Sequence, residues 1–290
     1  MKSYAYFPGC SLKSSATPYD ISTRRVAELF ELDLEELEDW NCCGATSYMS
    51  VNELMSFAIS ARNLVLAERT GKDLIASCSA CFATLNKTEA YLKEHDDLKE
   101  KVEKCLDAAN LSYRGGVRVR HLLDIFVNDV SPETIRSKIK VDLHDLKLAP
   151  YYGCQIVRPK NDFDHHEAPT SLDDLLRNLG AHVVDYPYKV KCCGASLIAT
   201  DERAALELVD KLLFCAVENG ADAVITTCPL CHMNLDGYQE RINGIFNKNY
   251  SLPILYFTQV IGLAAGFTME EMGIDKCITP VNEKFRRLFE

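Results

Sequence analysis

Ala76-Ser77-Cys78-Ser79-Ala80-Cys81 and Thr226-Thr227-Cys228-Pro229-Leu230-Cys231 each close a short apolar run and open a helical one, with two cysteines spaced C-x-x-C at the junction. Upstream of each stands an adjacent pair, Cys42-Cys43 or Cys192-Cys193, whose second member precedes the C-x-x-C by 35 residues in both places. Further back lie Cys10 and Cys154, at steps of 32 and 38 residues to the pair. One five-cysteine pattern is therefore written twice and uses ten of the thirteen cysteines. The flanks repeat too. Phe7-Pro8-Gly9-Cys10 answers Tyr151-Tyr152-Gly153-Cys154, and Asn41-Cys42-Cys43-Gly44-Ala45 answers Lys191-Cys192-Cys193-Gly194-Ala195. A period of about 145 residues is far too long for a solenoid repeat and implies a duplicated domain, 1–145 followed by 146–290.

Around the cysteines, short apolar segments alternate with helical ones. Strands are expected at Tyr4–Phe7, Asp73–Ser77, Ala149–Tyr152, His182–Tyr186 and Ala223–Thr227. Helices are expected at Tyr19–Glu31, about Val51–Arg69, Leu172–Leu179 and Glu202–Glu218, with Gly71, Gly180 and Gly220 just beyond the ends of the last three. Short apolar segments at Val119–Phe126 and Ile254–Ile261 complete each half. This alternation predicts an α/β protein with two pseudo-symmetric domains, each a small, mostly parallel, helix-covered sheet. In such sheets ligands sit beyond the carboxyl ends of the strands, where every cysteine group falls, so the three groups of one half can converge. The acidic stretches Leu34–Asp39 and Lys93–Lys104 are expected on solvated helix faces.

Composition narrows the function. Charged residues at 26 % and hydrophobic residues at 47 % of 290 residues are ordinary for a globular protein large enough for two cores. A net charge of −10 argues against nucleic acid. The sequence has no glycine-rich nucleotide loop, no signal-peptide pattern and no apolar run long enough for a membrane span, so a cytoplasmic location without membrane insertion is expected. A disulfide framework is disfavoured in that compartment, and an odd cysteine count disfavours it further. Five thiolates per half exceed the four that a tetrahedral zinc or an ordinary cubane takes, and a soft-metal site built on iron and sulfide uses them better than zinc does. Both members of an adjacent pair reach one site only if the chain kinks there or the bound group is large. Gly44 and Gly194 supply that freedom, and a C-x-x-C at a helix start adds unpaired N–H groups that favour anionic sulfur.

The doubled arrangement Cys-x(31 or 37)-Cys-Cys-x(34)-Cys-x-x-Cys, with Gly after each pair, resembles the cysteine-rich CCG-domain family over essentially the whole chain. Within it the chain resembles the B subunits of the heterodisulfide reductases of methanogenic archaea. Other members are the iron–sulfur subunits of glycolate oxidase and anaerobic glycerol-3-phosphate dehydrogenase, lactate-utilisation proteins and thiol:fumarate reductase. The resemblance implies two non-cubane [4Fe-4S] clusters. One would be held by Cys10, Cys42, Cys43, Cys78 and Cys81, the other by Cys154, Cys192, Cys193, Cys228 and Cys231. It implies an oxidoreductase acting in methanogenesis. The mixed disulfide of coenzyme M and coenzyme B would be split between the clusters, one electron from each, and the number of clusters matches a two-electron disulfide. The chain lacks the Cys-x-x-Cys-x-x-Cys-x-x-x-Cys-Pro segment that several relatives carry. Electrons are then expected from a separate ferredoxin-like iron–sulfur C subunit, linked to a flavin-containing A subunit and to a hydrogenase or formate dehydrogenase. The alternative is an electron-transfer subunit of a flavoprotein dehydrogenase of the glycolate, lactate or glycerol-3-phosphate type, with no substrate of its own.

An anionic substrate calls for basic neighbours. Lys13, Arg158, Lys160, Lys189 and Lys191 lie close in sequence to the cysteines, and His232 directly follows Cys231. Each of the five basic residues reads first as an ordinary solvated charge, and His232 reads as well as a helix-surface histidine. His165-His166 looks like a metal pair but falls in a polar loop. Cys105, Cys215 and Cys277 stand outside the pattern, and Cys215 reads as a small core residue.

Overall fold

The strands are short, and the inner ones are mostly apolar runs buried on both faces, the pattern of a parallel sheet covered by helices. In the computed structural model, which describes residues 2–45, 48–158 and 163–289, they are β1 (Lys2–Phe7), β2 (Leu32–Glu36), β3 (Leu74–Ala76) and β4 (Val119–His121) in the first half. The second half supplies β5 (Lys147–Tyr151), β6 (His182–Val183), β7 (Ala223–Thr226) and β8 (Ile254–Tyr256). Two four-stranded sheets result, ordered β2-β1-β3-β4 and β6-β5-β7-β8, with every neighbouring pair parallel. Registers correspond across the duplication: Ala76 lies opposite His121, and Thr226 opposite Tyr256.

From β1 the chain winds outward to β2 on one side, then returns to build β3 and β4 on the other, and β5 to β8 repeat this. The reversal of winding opens a crevice at the carboxyl ends of the two central strands of each sheet. Cys10 follows β1 and Cys78 follows β3; Cys154 follows β5 and Cys228 follows β7. The covering helices repeat as well. The Asn52 side chain caps helix Glu53–Glu68 by accepting from Met55 N–H, and Asp201 caps Glu202–Glu218 by accepting from Ala204 N–H.

Two expectations need correction. Leu34–Asp39 is not a helix face: Leu32–Glu36 is the edge strand β2, paired along β1 from Lys2 opposite Leu32 to Tyr6 opposite Glu36. Its Leu32 and Leu34 alternate with acidic residues, and acidic side chains on an edge strand also discourage pairing with another chain. The strand expected at His182–Tyr186 stops at Val183, because only two residues pair with β5.

The halves dock through their helices. Helix Thr17–Leu29 packs along helix Phe257–Ala264. At that contact the Tyr19 and Tyr256 rings stack at 4.1 Å, and the Ser22 and Thr258 hydroxyls meet at 2.7 Å. Each of the two buried apolar clusters draws on both halves: Phe7 and Leu64 share one with Tyr151 and Leu212, and Tyr6 and Phe126 share the other with Tyr152 and Phe257. Among the described residues no helix is long and apolar enough to cross a membrane.

Candidate functional site

All thirteen cysteines are free thiols, and ten of them run as a connected line along the carboxyl ends of the two sheets. In the first half Cys10 contacts Cys42, Cys42 contacts Cys43, and the Cys43 and Cys81 sulfurs lie 3.2 Å apart. Cys81 in turn contacts Cys78. The second half repeats this: Cys154 contacts Cys192, Cys193 lies 3.4 Å from Cys231, and Cys231 contacts Cys228. The two lines join where Cys78 meets Cys228. The C-x-x-C pairs and Cys43 and Cys193 are buried, Cys154 is half-buried, and Cys10, Cys42 and Cys192 reach the surface.

Glycines make room for this sulfur. Gly9 and Gly153 have φ of +72° and +68°, and a Cβ there would stand 3.2 Å from the Cys81 sulfur and 3.0 Å from the Cys231 sulfur. Gly44 and Gly194, at φ +83° and +73°, turn the chain directly after each pair, which brings both pair members to the same line of sulfurs. Cys78 and Cys228 stand at the N-caps of helices Ser79–Glu94 and Pro229–Gly237, and at Cys228 the backbone N–H groups of Leu230 and Cys231 help lower the thiol.

Thiols this close share protons unevenly. Neighbouring sulfur raises Cys10, Cys78, Cys81, Cys154 and Cys231 well above the ordinary thiol range, and burial adds to it. Hydrogen bonds from adjacent thiols pull Cys43 and Cys228 well down, against burial. Cys192 falls to about 6 through its bond with Cys154, opposed by burial and helped by the Gly194 N–H. Ten thiols in mutual contact, seven of them buried or half-buried, cannot all ionise beside one another; a cationic group among them removes the conflict. Among the described residues no three His, Cys, Asp or Glu side chains gather about a point as a single metal ion requires. The donors form a line, five to a half, one more than a single tetrahedral zinc takes, which fits a polynuclear metal–sulfur group better.

Between the C-x-x-C turns lies a seam of buried polar side chains that sequence reasoning passed over. Ser79 Oγ stands 3.3 Å from Thr227 Oγ1 and 3.4 Å from His121 Nε2, and Tyr19 donates to the Thr227 carbonyl at 3.2 Å. Ser79 and Thr227 were in view inside the repeated motif; His121 and Tyr19 carried no signal, because their place depends on how the halves dock.

The basic candidates scatter. Lys13 pairs with Glu36 at 2.8 Å. Lys189 turns inward to Asp173 at 3.1 Å and to the Pro169 carbonyl at 2.5 Å. Arg158 donates to the His166 carbonyl at 3.0 Å, and Lys160 lies outside the described residues. Lys191 is exposed beside Cys192, and its carbonyl accepts from Tyr151. His232 is buried, not on a helix surface: it stacks on Tyr256 at 4.3 Å, with the Cys277 sulfur 3.9 Å from Nε2, and burial lowers its pKa. His165 and His166 are exposed, as a polar loop implies, while Cys215 and Cys277 are half-buried and Cys105 is exposed on the outer face of its helix.

The family model of the cysteine-rich CCG domain matches residues 4–86 and 148–236, once over each five-cysteine line. This chain belongs to the CCG cysteine-rich domain family. It is 34 % identical over 94 % of its length to the 8-methylmenaquinol:fumarate reductase membrane anchor subunit of Wolinella succinogenes, covering 96 % of that protein. It is 32 % identical over its full length to the B subunit of the ferredoxin/F420H2-dependent CoB-CoM heterodisulfide reductase of Methanosarcina acetivorans, covering 98 % of it. A protein of Archaeoglobus profundus described as like the heterodisulfide reductase B subunit is 30 % identical, with 99 % of that chain covered. Such CCG relatives make the chain a subunit of a redox enzyme complex. Among solved structures, a hypothetical protein from Helicobacter pylori shares the fold, with a TM-score of 0.77 at 16 % identity; 97 % of this chain spans about half of that one, 53 %.

Proposed function

We propose that this chain is the disulfide-reducing iron–sulfur subunit of a heterodisulfide reductase, with one non-cubane [4Fe-4S] cluster in each five-cysteine line. The observation that carries this is the meeting of Cys78 and Cys228, which sets two equivalent thiol sites edge to edge at the seam of the halves. A disulfide takes two electrons and yields two thiols, so two one-electron sites flanking one cleft suit it in number and in place. When bound, the clusters supply the electrons singly. The chain's own part is to make room for the sulfur lines at Gly9 and Gly153, to exclude water with the buried C-x-x-C turns, and to present Cys10, Cys42 and Cys192 at the surface. The substrate is the mixed disulfide of coenzyme M and coenzyme B. The partners are a ferredoxin-like C subunit and a flavin-containing A subunit.

A second reading has its own support. The fumarate reductase relative is matched as well as the heterodisulfide reductases, and three of the basic side chains that an anionic disulfide would seek are already engaged within the protein. In that reading the chain passes electrons between a quinol and a flavoprotein. Reoxidation of reduced benzyl viologen by iron-loaded protein separates the two. Turnover with the coenzyme M–coenzyme B disulfide, and none with a naphthoquinone, is the expected result. The reverse preference transfers the chain to the electron-transfer class.

A further inference from the structure

His121 ends β4 with its ring fully buried and both nitrogens fixed. Nδ1 accepts the Leu123 backbone N–H at 3.1 Å, so a proton there would break that bond. Nε2 lies 3.4 Å from Ser79 Oγ, and the backbones of Ser77 and Thr227 also hydrogen-bond the ring in the sense that favours a ring N–H donor. The neutral tautomer with hydrogen on Nε2 is the only form that suits every partner. Burial favours the same form, lowering the imidazole to about 4.

A locked donor gives direction to the hydrogen bonds beyond it. With Nε2–H directed at Ser79 Oγ, the Ser79 hydroxyl donates onward across the seam to Thr227 Oγ1 at 3.3 Å. Thr227 has then accepted, and its own hydroxyl hydrogen is the free end of the chain. A buried hydroxyl hydrogen without an acceptor is unfavourable by about 1–3 kcal/mol. The Thr227 carbonyl is taken by Tyr19, and the next residue is Cys228, whose thiol touches Cys78. Ser79 and Thr227 each adjoin in sequence one of the two thiols that meet at the seam, Cys78 and Cys228. The duplication does not repeat this arrangement. Ser77, which matches Thr227, meets Tyr6 Oη at 3.3 Å, and Tyr256, which matches His121, stacks on His232.

We propose that the Thr227 hydroxyl, oriented through Ser79 by the tautomer-locked His121, is the hydrogen-bond donor to the sulfur anion held where the two centres meet. Thr227 is the donor; Ser79 and His121 are positioning residues. This rests on the iron–sulfur reading above. A hydrogen bond to cluster or ligand sulfur stabilises the more negative, reduced state and so raises the potential. Because the donor stands on one side only, the two centres become unequal.

The test is an EPR-monitored redox titration of the anaerobically purified, iron-loaded protein, with iron content measured alongside. Thr227→Val is expected to lower the midpoint potential of one centre, while Thr227→Ser retains the wild-type value. His121→Phe is expected to lower the same potential, His121→Gln to restore it by keeping an N–H donor, and His121→Phe with Thr227→Val to go no lower than Thr227→Val alone. Should Thr227→Val load iron poorly, Ser79→Ala gives the same reading from the other half. An iron–sulfur signal whose potential these variants leave unmoved overturns the inference alone. Absence of any such signal in the wild-type protein overturns the reading of the centres, and the inference with it.

Discussion

At Gly9 and Gly153 a hydrogen atom in place of a methyl decides whether the sulfur beside it has room. Alanine there would meet the Cys81 or Cys231 sulfur at 3.2 and 3.0 Å, on backbone that an L-residue adopts only with strain of about 1–2 kcal/mol. Gly9→Ala should therefore lose the first metal centre and keep the second, and Gly153→Ala the reverse; metal analysis of the two variants checks this. Both glycines and all ten thiols were visible in the sequence, because a motif written twice marks its own members. The direction of a side chain was not visible. Lys189 stands three residues from Cys192 yet turns to Asp173, and His232 follows Cys231 yet lies buried against Tyr256. Nearness along the chain fixes a backbone position, while orientation is set by partners that only the fold supplies.

The strands and helices carrying the cysteines followed from hydrophobic pattern, and helix Glu202–Glu218 matches its expected span. β2 was missed because its acidic residues resemble a solvated helix, and its pairing with β1 is what makes it a strand. β4 has a consequence for acid stability. Burial holds the imidazole of His121 at about 4, against 6.5 when free. The unfolded chain then binds the extra proton first, so the stability from neutral His121 is complete above pH 6.5 and declines as pH falls towards 4. Thermal melts across that range should show the wild-type protein losing stability more steeply than His121→Gln. Equal slopes would mean that the imidazole titrates as it does in water.

Duplication and two parallel sheets could both be inferred from one chain, because each repeat carries its own strand–cysteine–helix signals. What one chain could not show is how the halves meet. The Tyr19–Tyr256 stack, the Ser22–Thr258 bond and the approach of Cys78 to Cys228 join residues more than 140 positions apart with no local pattern. That docking turns two separate sulfur sites into one paired centre. The direct test is the iron, zinc and acid-labile sulfide content of anaerobically purified protein. About eight irons with matching sulfide and no zinc are predicted for two four-iron centres. About four irons with one zinc would leave a single redox site and contradict the paired-centre account.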